Sequence, residues 1–166
     1  MHMHGMARVH THAFGMEPMQ TDMQTDKPAF APAICNCLAL RQAARHATQL
    51  YDRHLAAEGL KTTQYSILAK LARLGPLSIN EIAAMMVMDR TTTSRAVRPL
   101  ARDRLVAIAP GEDERTRIVR LTPAGEKRAK AAAARWGEAQ REFEAAYGTG
   151  EAARLRADLA RVVGVM

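Results

Sequence analysis

A chain of 166 residues with 24 Lys and Arg against 17 Asp and Glu carries a formal net charge of +7, which favours an anionic partner. Hydrophobic residues reach 48%, enough to fill one core, while aromatic residues reach only 4%. The apolar mass is Ala, Leu, Val and Met, which points to helices, to one compact domain or to a domain with an extension. No apolar run is long enough to span a bilayer, no apolar N-terminal core marks a signal peptide, and two cysteines make no disulfide framework, so a cytoplasmic location is expected.

Residues 1–31 are rich in Met, His, Thr, Asp and Pro without periodicity. They read as a disordered extension, of the kind left by a cloning vector or an early start codon. His2, His4, His10 and His12 could meet a soft metal, but nothing preorganises four ligands there, and no metal or other cofactor is expected. Pro32 is a good first helical residue, and a helix is expected from there to about Glu58, stopped by Gly59. It is apolar on two sides: Ile34, Leu38, Tyr51 and Leu55 follow one face, Leu40, Ala44, Ala47 and Leu50 another. Such a helix needs two neighbours. A second helix is expected from an N-cap at Thr62 to Arg73, with Tyr65, Leu68, Ala69, Leu71 and Ala72 inward and Gly75-Pro76 as its stop.

The most informative stretch runs from Ser78 to Thr122. Ser78 and Glu81 form a Ser-x-x-Glu capping box, and Ile82, Ala83 and Met86 then recur at helical spacing up to Met88. Asp89 can cap the next helix, on which Thr93, Ala96, Val97 and Leu100 share a face. Thr91, Arg95, Arg98 and Arg102 lie opposite, flanked by Arg90 and Ser94, and that polar face carries no carboxylate. Arginine forks onto guanine, and hydroxyls meet phosphate or a thymine methyl, so the face suits a major groove. Two strands are expected at Val106–Ala109 and Arg117–Leu121, joined by a charged tip, with Pro76-Leu77 adding a short third strand. Helix, turn, helix and hairpin make a winged helix-turn-helix: mainly α with a small β-wing. From Thr122-Pro123 a helix of about 25 residues should reach Tyr147, where Gly148 breaks it. Thr149 is expected to cap a last helix with an apolar stripe of Leu155, Leu159, Val162 and Val163.

The run Asp89-Arg90-Thr91-Thr92-Thr93-Ser94-Arg95, then Leu100, Leu105-Val106, Asp113-x-Arg115 and Leu121-Thr122-Pro123-x-Gly125, resembles the multiple antibiotic resistance regulator (MarR) family, as does the pair Gln64-Tyr65. The resemblance covers the chain from about Ala33 onward. It implies a homodimer paired through terminal helices (residues 32–60 and 123–166), a DNA-binding lobe (residues 61–122), and a transcriptional regulator, a repressor by expectation, on a pseudo-palindromic duplex operator. DNA contacts are then expected from Arg90, Thr91, Thr92, Ser94, Arg95 and Arg98. Asp113 should orient Arg115 for an adjacent minor groove. Three departures stand out: Arg104 occupies the usual glycine position after the recognition helix, the wing tip is one residue shorter, and Pro99 lies within the helix.

Cys35 and Cys37 fall in the first turns of the first helix, where the dipole favours thiolate. Two residues apart on a helix, they are badly placed for a mutual disulfide. Counting back from Gln64, Cys37 matches the reactive cysteine of the family's organic-hydroperoxide-sensing branch, and Tyr51 a tyrosine that the branch keeps near the thiol, although Arg41 and Thr62 replace other tyrosines. An inert cysteine is the alternative. The effector is then an oxidant or a small ligand, an aromatic acid in many family members, whose carboxylate Arg41, Arg45 and His46 would meet between dimer helices and DNA-binding lobe. No phosphate loop, nucleophile elbow or His-Glu-x-x-His motif suggests an enzyme, and Cys35-x-Cys37 lacks Cys-x-x-Cys spacing. The rival class, a winged-helix scaffold that binds protein instead of specific DNA, would need acidic or apolar residues on the outer face of Arg90 to Arg102.

Overall fold

The computed structural model describes residues 35–164, apart from 112 and 114; the expected extension, its histidines and the helix start at Pro32 lie outside the described residues. The elements are α1 (Asn36–Leu55), α2 (Thr62–Leu74), β1 (Leu77–Ser78), α3 (Ile79–Met86), α4 (Arg90–Arg102), β2 (Val106–Pro110), β3 (Arg117–Leu121), α5 (Pro123–Tyr147) and α6 (Thr149–Gly164). A mainly helical chain with a three-stranded antiparallel wing, ordered β1-β3-β2, is the expected class. In its register Val119 pairs with Leu77 on one side and Ile108 on the other.

The ends of the helices are set by local chemistry. A single 3-10 turn (Ala56–Glu58) extends α1 to Gly59 at φ 68, where a left-handed residue is needed. The Leu60 amide then reaches back to the Leu55 carbonyl at 3.2 Å, and both leucines are buried. The start of α2 differs from expectation by one residue. Lys61 is the N-cap, its amide donating to Gln64 Oε1 at 2.8 Å. Thr62 is instead the first helical residue, and both its amide and hydroxyl donate to Asp52 Oδ1 at 2.7 Å. A more distant carboxylate thus takes the donors that a capping hydroxyl would have served locally. Those bonds and the neighbouring Lys61 ammonium outweigh partial burial and hold the Asp52 carboxyl below its usual range.

Along α2, Tyr65, Ile67, Leu68 and Leu71 are buried, whereas Ala72, expected inward, is exposed. The capping box at α3 forms in both directions: Ser78 Oγ accepts from the Glu81 amide at 3.1 Å, and the Ser78 amide donates to Glu81 Oε2 at 2.7 Å. Helix α3 stops two residues before Met88 because Val87 turns left-handed at φ 52. Likewise Arg104, standing where glycine would be easier, takes φ 57 after α4. Helix α6 starts with Thr149 itself, its cap bond running from the Ala152 amide to the Gly148 carbonyl.

One core joins these pieces. Leu55, Ile67, Leu68, Ile82, Val97, Leu100 and Val119 are essentially inaccessible, and Ala129 and Ala132 of α5 close the core. Small residues on that face of α5 let α1 and α2 pack closely against it. Tyr51 and Tyr65 flank Trp136, with ring centroids 6.5 and 6.4 Å away. On the outer side, Arg53 and His54 of α1 meet Glu142 of α5 at 2.9 and 2.7 Å. By contrast the first half of α1 and nearly all of α6 lie open, with Leu40, Leu159 and Val163 exposed and Ala152 the one buried residue of α6.

The root of the wing is the tightest point. The Thr122 hydroxyl donates to the Arg104 carbonyl at 2.7 Å and accepts the Gly125 amide at 3.0 Å, capping α5. A Cβ on Gly125 would lie 1.9 Å from the Leu105 carbonyl oxygen. Gly125→Ala must therefore push α5 away from the wing, and we expect a loss of about 1–3 kcal/mol, read as a lower midpoint in urea unfolding with unchanged slope.

Candidate nucleic-acid interface

Helix α4 divides as its spacing predicts. Thr93, Val97 and Leu100 are buried, while Arg90, Thr91, Thr92, Arg95, Arg98 and Arg102 are exposed and Ser94 is half-buried. The buried hydroxyl of Thr93 is satisfied by donating to the Asp89 carbonyl at 2.9 Å. Asp89 caps the helix: Oδ1 accepts the Thr92 amide at 2.8 Å and Oδ2 the Thr92 hydroxyl at 2.6 Å. The hydroxyl bond first, then the amide bond, draws the Asp89 pKa below its usual value. Folding therefore gains from the ionised cap above the ordinary aspartate range, and that gain is lost as pH falls through the lowered value.

Pro99 supplies no amide, so the Arg95 carbonyl lacks its partner, yet the helix continues to Arg102. Among the described residues Arg90, Arg95 and Arg98 make no ion pair, and the one carboxylate near the far end, Asp103, takes Arg102 at 3.0 Å. Up to Arg98 the polar face of α4 is thus, among the described residues, a row of hydroxyls and guanidinium groups without an ion pair.

At the wing tip the structure corrects one expectation. Asp113 Oδ1 accepts the backbone amide of Arg115 at 3.0 Å instead of its guanidinium. The carboxylate shapes the turn, which the Thr116 amide closes onto the Asp113 carbonyl at 2.8 Å and the Gly111 amide onto the Thr116 carbonyl at 2.9 Å. The Arg115 side chain is exposed, so it is aimed by its backbone and not by a paired charge. What reaches the tip from outside is Arg90, whose Nη2 donates to the Arg115 carbonyl at 3.3 Å. Its place on α4 marks Arg90 as a flanking cation and an expected DNA contact, not as a partner of the wing; a bond across 25 residues leaves no trace in local pattern.

A second feature lies behind this surface. Between α2, β3 and the start of α5 opens a cleft of about 690 Å³, floored by Ala69 and Leu121 and edged by Tyr65, Arg73, Arg120 and Lys130. Nothing in the sequence singles out Arg73, Arg120 and Lys130, because each sits on a different element and only folding collects them. Arg41, Arg45 and His46 do not line it and are exposed on α1. Cys37 is exposed near the start of α1 and Cys35, half-buried, precedes it. Tyr51 lies fourteen residues beyond Cys37, ~21 Å along the helix, and its hydroxyl donates to Gln140 Oε1 at 2.6 Å. Burial first, then Glu144, pushes its phenol pKa up. Within one chain this tyrosine does not approach Cys37.

Comparison with known proteins matches residues 58–116 to the MarR family profile. The M. tuberculosis transcriptional regulator MosR, in a crystal structure with DNA, is 36% identical at a TM-score of 0.70, the match covering 77% of this chain and 92% of that one. The uncharacterized HTH-type transcriptional regulator YwoH of Bacillus subtilis is 30% identical over 89 residues, 54% of this chain. The transcriptional activatory protein BadR of Rhodopseudomonas palustris is 32% identical over 77 residues, 44% of this chain. The aligned segments span 65% and 44% of these two curated relatives. A structure of the Streptomyces coelicolor regulator PcaV, 22% identical at a TM-score of 0.73, shares the fold; that match covers 83% of this chain and 98% of PcaV.

The bond between Arg90 and the wing tip makes a measurable demand. Arg90→Ala and Arg115→Ala should each weaken duplex binding, and in a double-mutant cycle their effects should fall short of additivity by about 0.5 kcal/mol or more. Strict additivity would mean that Arg90 acts without the wing.

Proposed function

This chain belongs to the MarR family, and from that premise we propose that it is a homodimeric, sequence-specific DNA-binding regulator. The observation that carries the reading is the exposed, carboxylate-free face of α4 beside an exposed wing arginine. Arg95 and Arg98, with Thr91, Thr92 and Ser94, enter a major groove, and Arg115 enters the neighbouring minor groove. Two copies place two recognition helices about one helical turn of DNA apart, about 34–36 Å, and so read a pseudo-palindrome. The open faces of α1 and α6, with Leu40, Leu159 and Val163 exposed, support pairing through the terminal helices. The rival scaffold reading needs an acidic or apolar outer face on α4, and this one is basic.

Regulation in our proposal is repression by occupancy of the operator. Because BadR is named an activatory protein, run-off transcription from the selected operator tests the direction. Release follows from an effector with greater affinity for the dimer that does not fit DNA; equal affinity for both forms would shift nothing. For a small aromatic acid, the cleft offers the cations Arg73, Arg120 and Lys130 against the one carboxylate of Glu126, together with apolar lining residues, next to β3 and thus to the wing. For an oxidant, Cys37 is the exposed thiol, and Tyr51 would have to come from the second copy, as the distance along α1 requires.

Selection of bound sequences from a random duplex pool, with and without peroxide or an aromatic carboxylate, tests the whole reading by its palindrome and its sensitivity. On the selected site Arg95→Ala should lose about 1–3 kcal/mol and relax base preference at one position per half-site. Arg115→Ala should weaken all duplexes alike and flatten the salt dependence by about one unit for each phosphate that the guanidinium neutralises. An unchanged salt dependence removes the wing from the DNA-binding surface.

A further inference from the structure

Val87 is placed in a way that stability does not explain. Among the described residues it is the most exposed of the large hydrophobics, 72% accessible, so it buries little. Its φ of 52 is left-handed, where a β-branched side chain crowds its own backbone and where Gly or Asn would sit with less strain. A residue that gives the fold neither burial nor an easy backbone is a candidate for a role outside the fold.

Its position says what that is. Val87 closes α3 with its amide on the Ala84 carbonyl at 3.2 Å and stands two residues before Asp89, the N-cap of α4. Its Cα is therefore within ~7.6 Å of the cap, at the end of the recognition helix whose residues approach base edges. Close to it in sequence the exposed residues are the polar or charged Asp89, Arg90 and Thr91 and the small Ala84, with Met85, 41% exposed, the one other large apolar side chain. In the major groove the one apolar group that a base pair offers is the thymine 5-methyl.

We infer that Val87 is a specificity-determining residue that packs its exposed isopropyl group against a thymine methyl at the edge of the half-site. This rests on the DNA-binding reading above and adds to it a preference that no arginine or hydroxyl on α4 supplies. Standing in the turn before α4, it is assigned a base pair other than the one read by Arg95.

The test uses the full chain and a duplex selected by it, resynthesised with each thymine singly replaced by deoxyuridine, which removes only the 5-methyl. The parent protein should lose about fourfold in affinity at one position per half-site, the worth of one methyl-sized apolar contact. Val87→Gly should bind the thymine duplex about fourfold more weakly and show no further loss at that position, while responding like the parent at every other thymine. Val87→Asn, which also tolerates the left-handed turn, should do the same and guards against a turn loosened by glycine. Thermal melting should place Val87→Gly at or above the parent. A lower melt would mean that the valine is kept for the fold, and would overturn the inference. So would specific binding in which no deoxyuridine position distinguishes the parent from both variants. If the chain selects no specific duplex, the DNA-binding reading itself falls, a result that the pool selection gives before any variant is made.

Discussion

Thr122 sets one hydroxyl between the end of α4, the start of the wing and the start of α5. It donates to the Arg104 carbonyl, lies 3.2 Å from the Leu105 carbonyl and accepts the Gly125 amide in the first turn of α5. The Thr122 amide also donates to the Leu105 carbonyl at 3.1 Å. Three elements converge there because Gly125 has no side chain to keep them apart. Nearly everything about the proposed interface follows from this junction: β2 leaves it, β3 returns to it, and the left-handed Arg104 supplies the sharp exit from α4 that lets Leu105 and Val106 turn back into the core. The surface that faces outward is held by what happens underneath it.

Charge is distributed unevenly over that frame. On the terminal helices several basic residues are answered: Arg53 and His54 by Glu142, Arg135 by Glu138, Arg154 by Glu151, Arg156 by Glu144 and Arg161 by Asp158. Most are exposed pairs that add little stability individually. Their larger effect is to cancel field locally, whereas Arg90, Arg95 and Arg98 make no ion pair among the described residues. A polyanion approaching from a distance would be oriented by that imbalance before any contact is made.

Which parts are legible in the sequence follows the range of the interactions. The Ser78–Glu81 box, the Asp89 cap, the two faces of α4, the bounds of β3 and the length of α5 are consequences of residues within a few positions of one another, and periodicity exposes them. Lys61 displaces Thr62 as the cap of α2 because Asp52, ten residues earlier, claims the threonine's donors. Asp113 turns to a backbone amide because a tight turn brings that amide closer than any guanidinium. Arg90 reads from sequence as a groove residue, and its bond to the wing emerges only once strand pairing has set the hairpin beside α4. The cleft is invisible for the same reason, being assembled from three elements that share no motif. Ala72 faces solvent although its neighbour Leu71 is buried, since adjacent helical positions point about 100° apart.

Helix α5 carries one further implication. It is rooted at the junction around Thr122 and runs 25 residues to Tyr147, ~37 Å of nearly unbroken rod, while α1 grips its outer half through Glu142. A rod fixed near one end and gripped near the other behaves as a lever. A tilt of roughly five degrees displaces one end relative to the other by about 3 Å over that length, close to the rise of two helical residues. In the proposed dimer, small rearrangements among the terminal helices would thus arrive at the wing as a displacement comparable to the step between neighbouring base pairs.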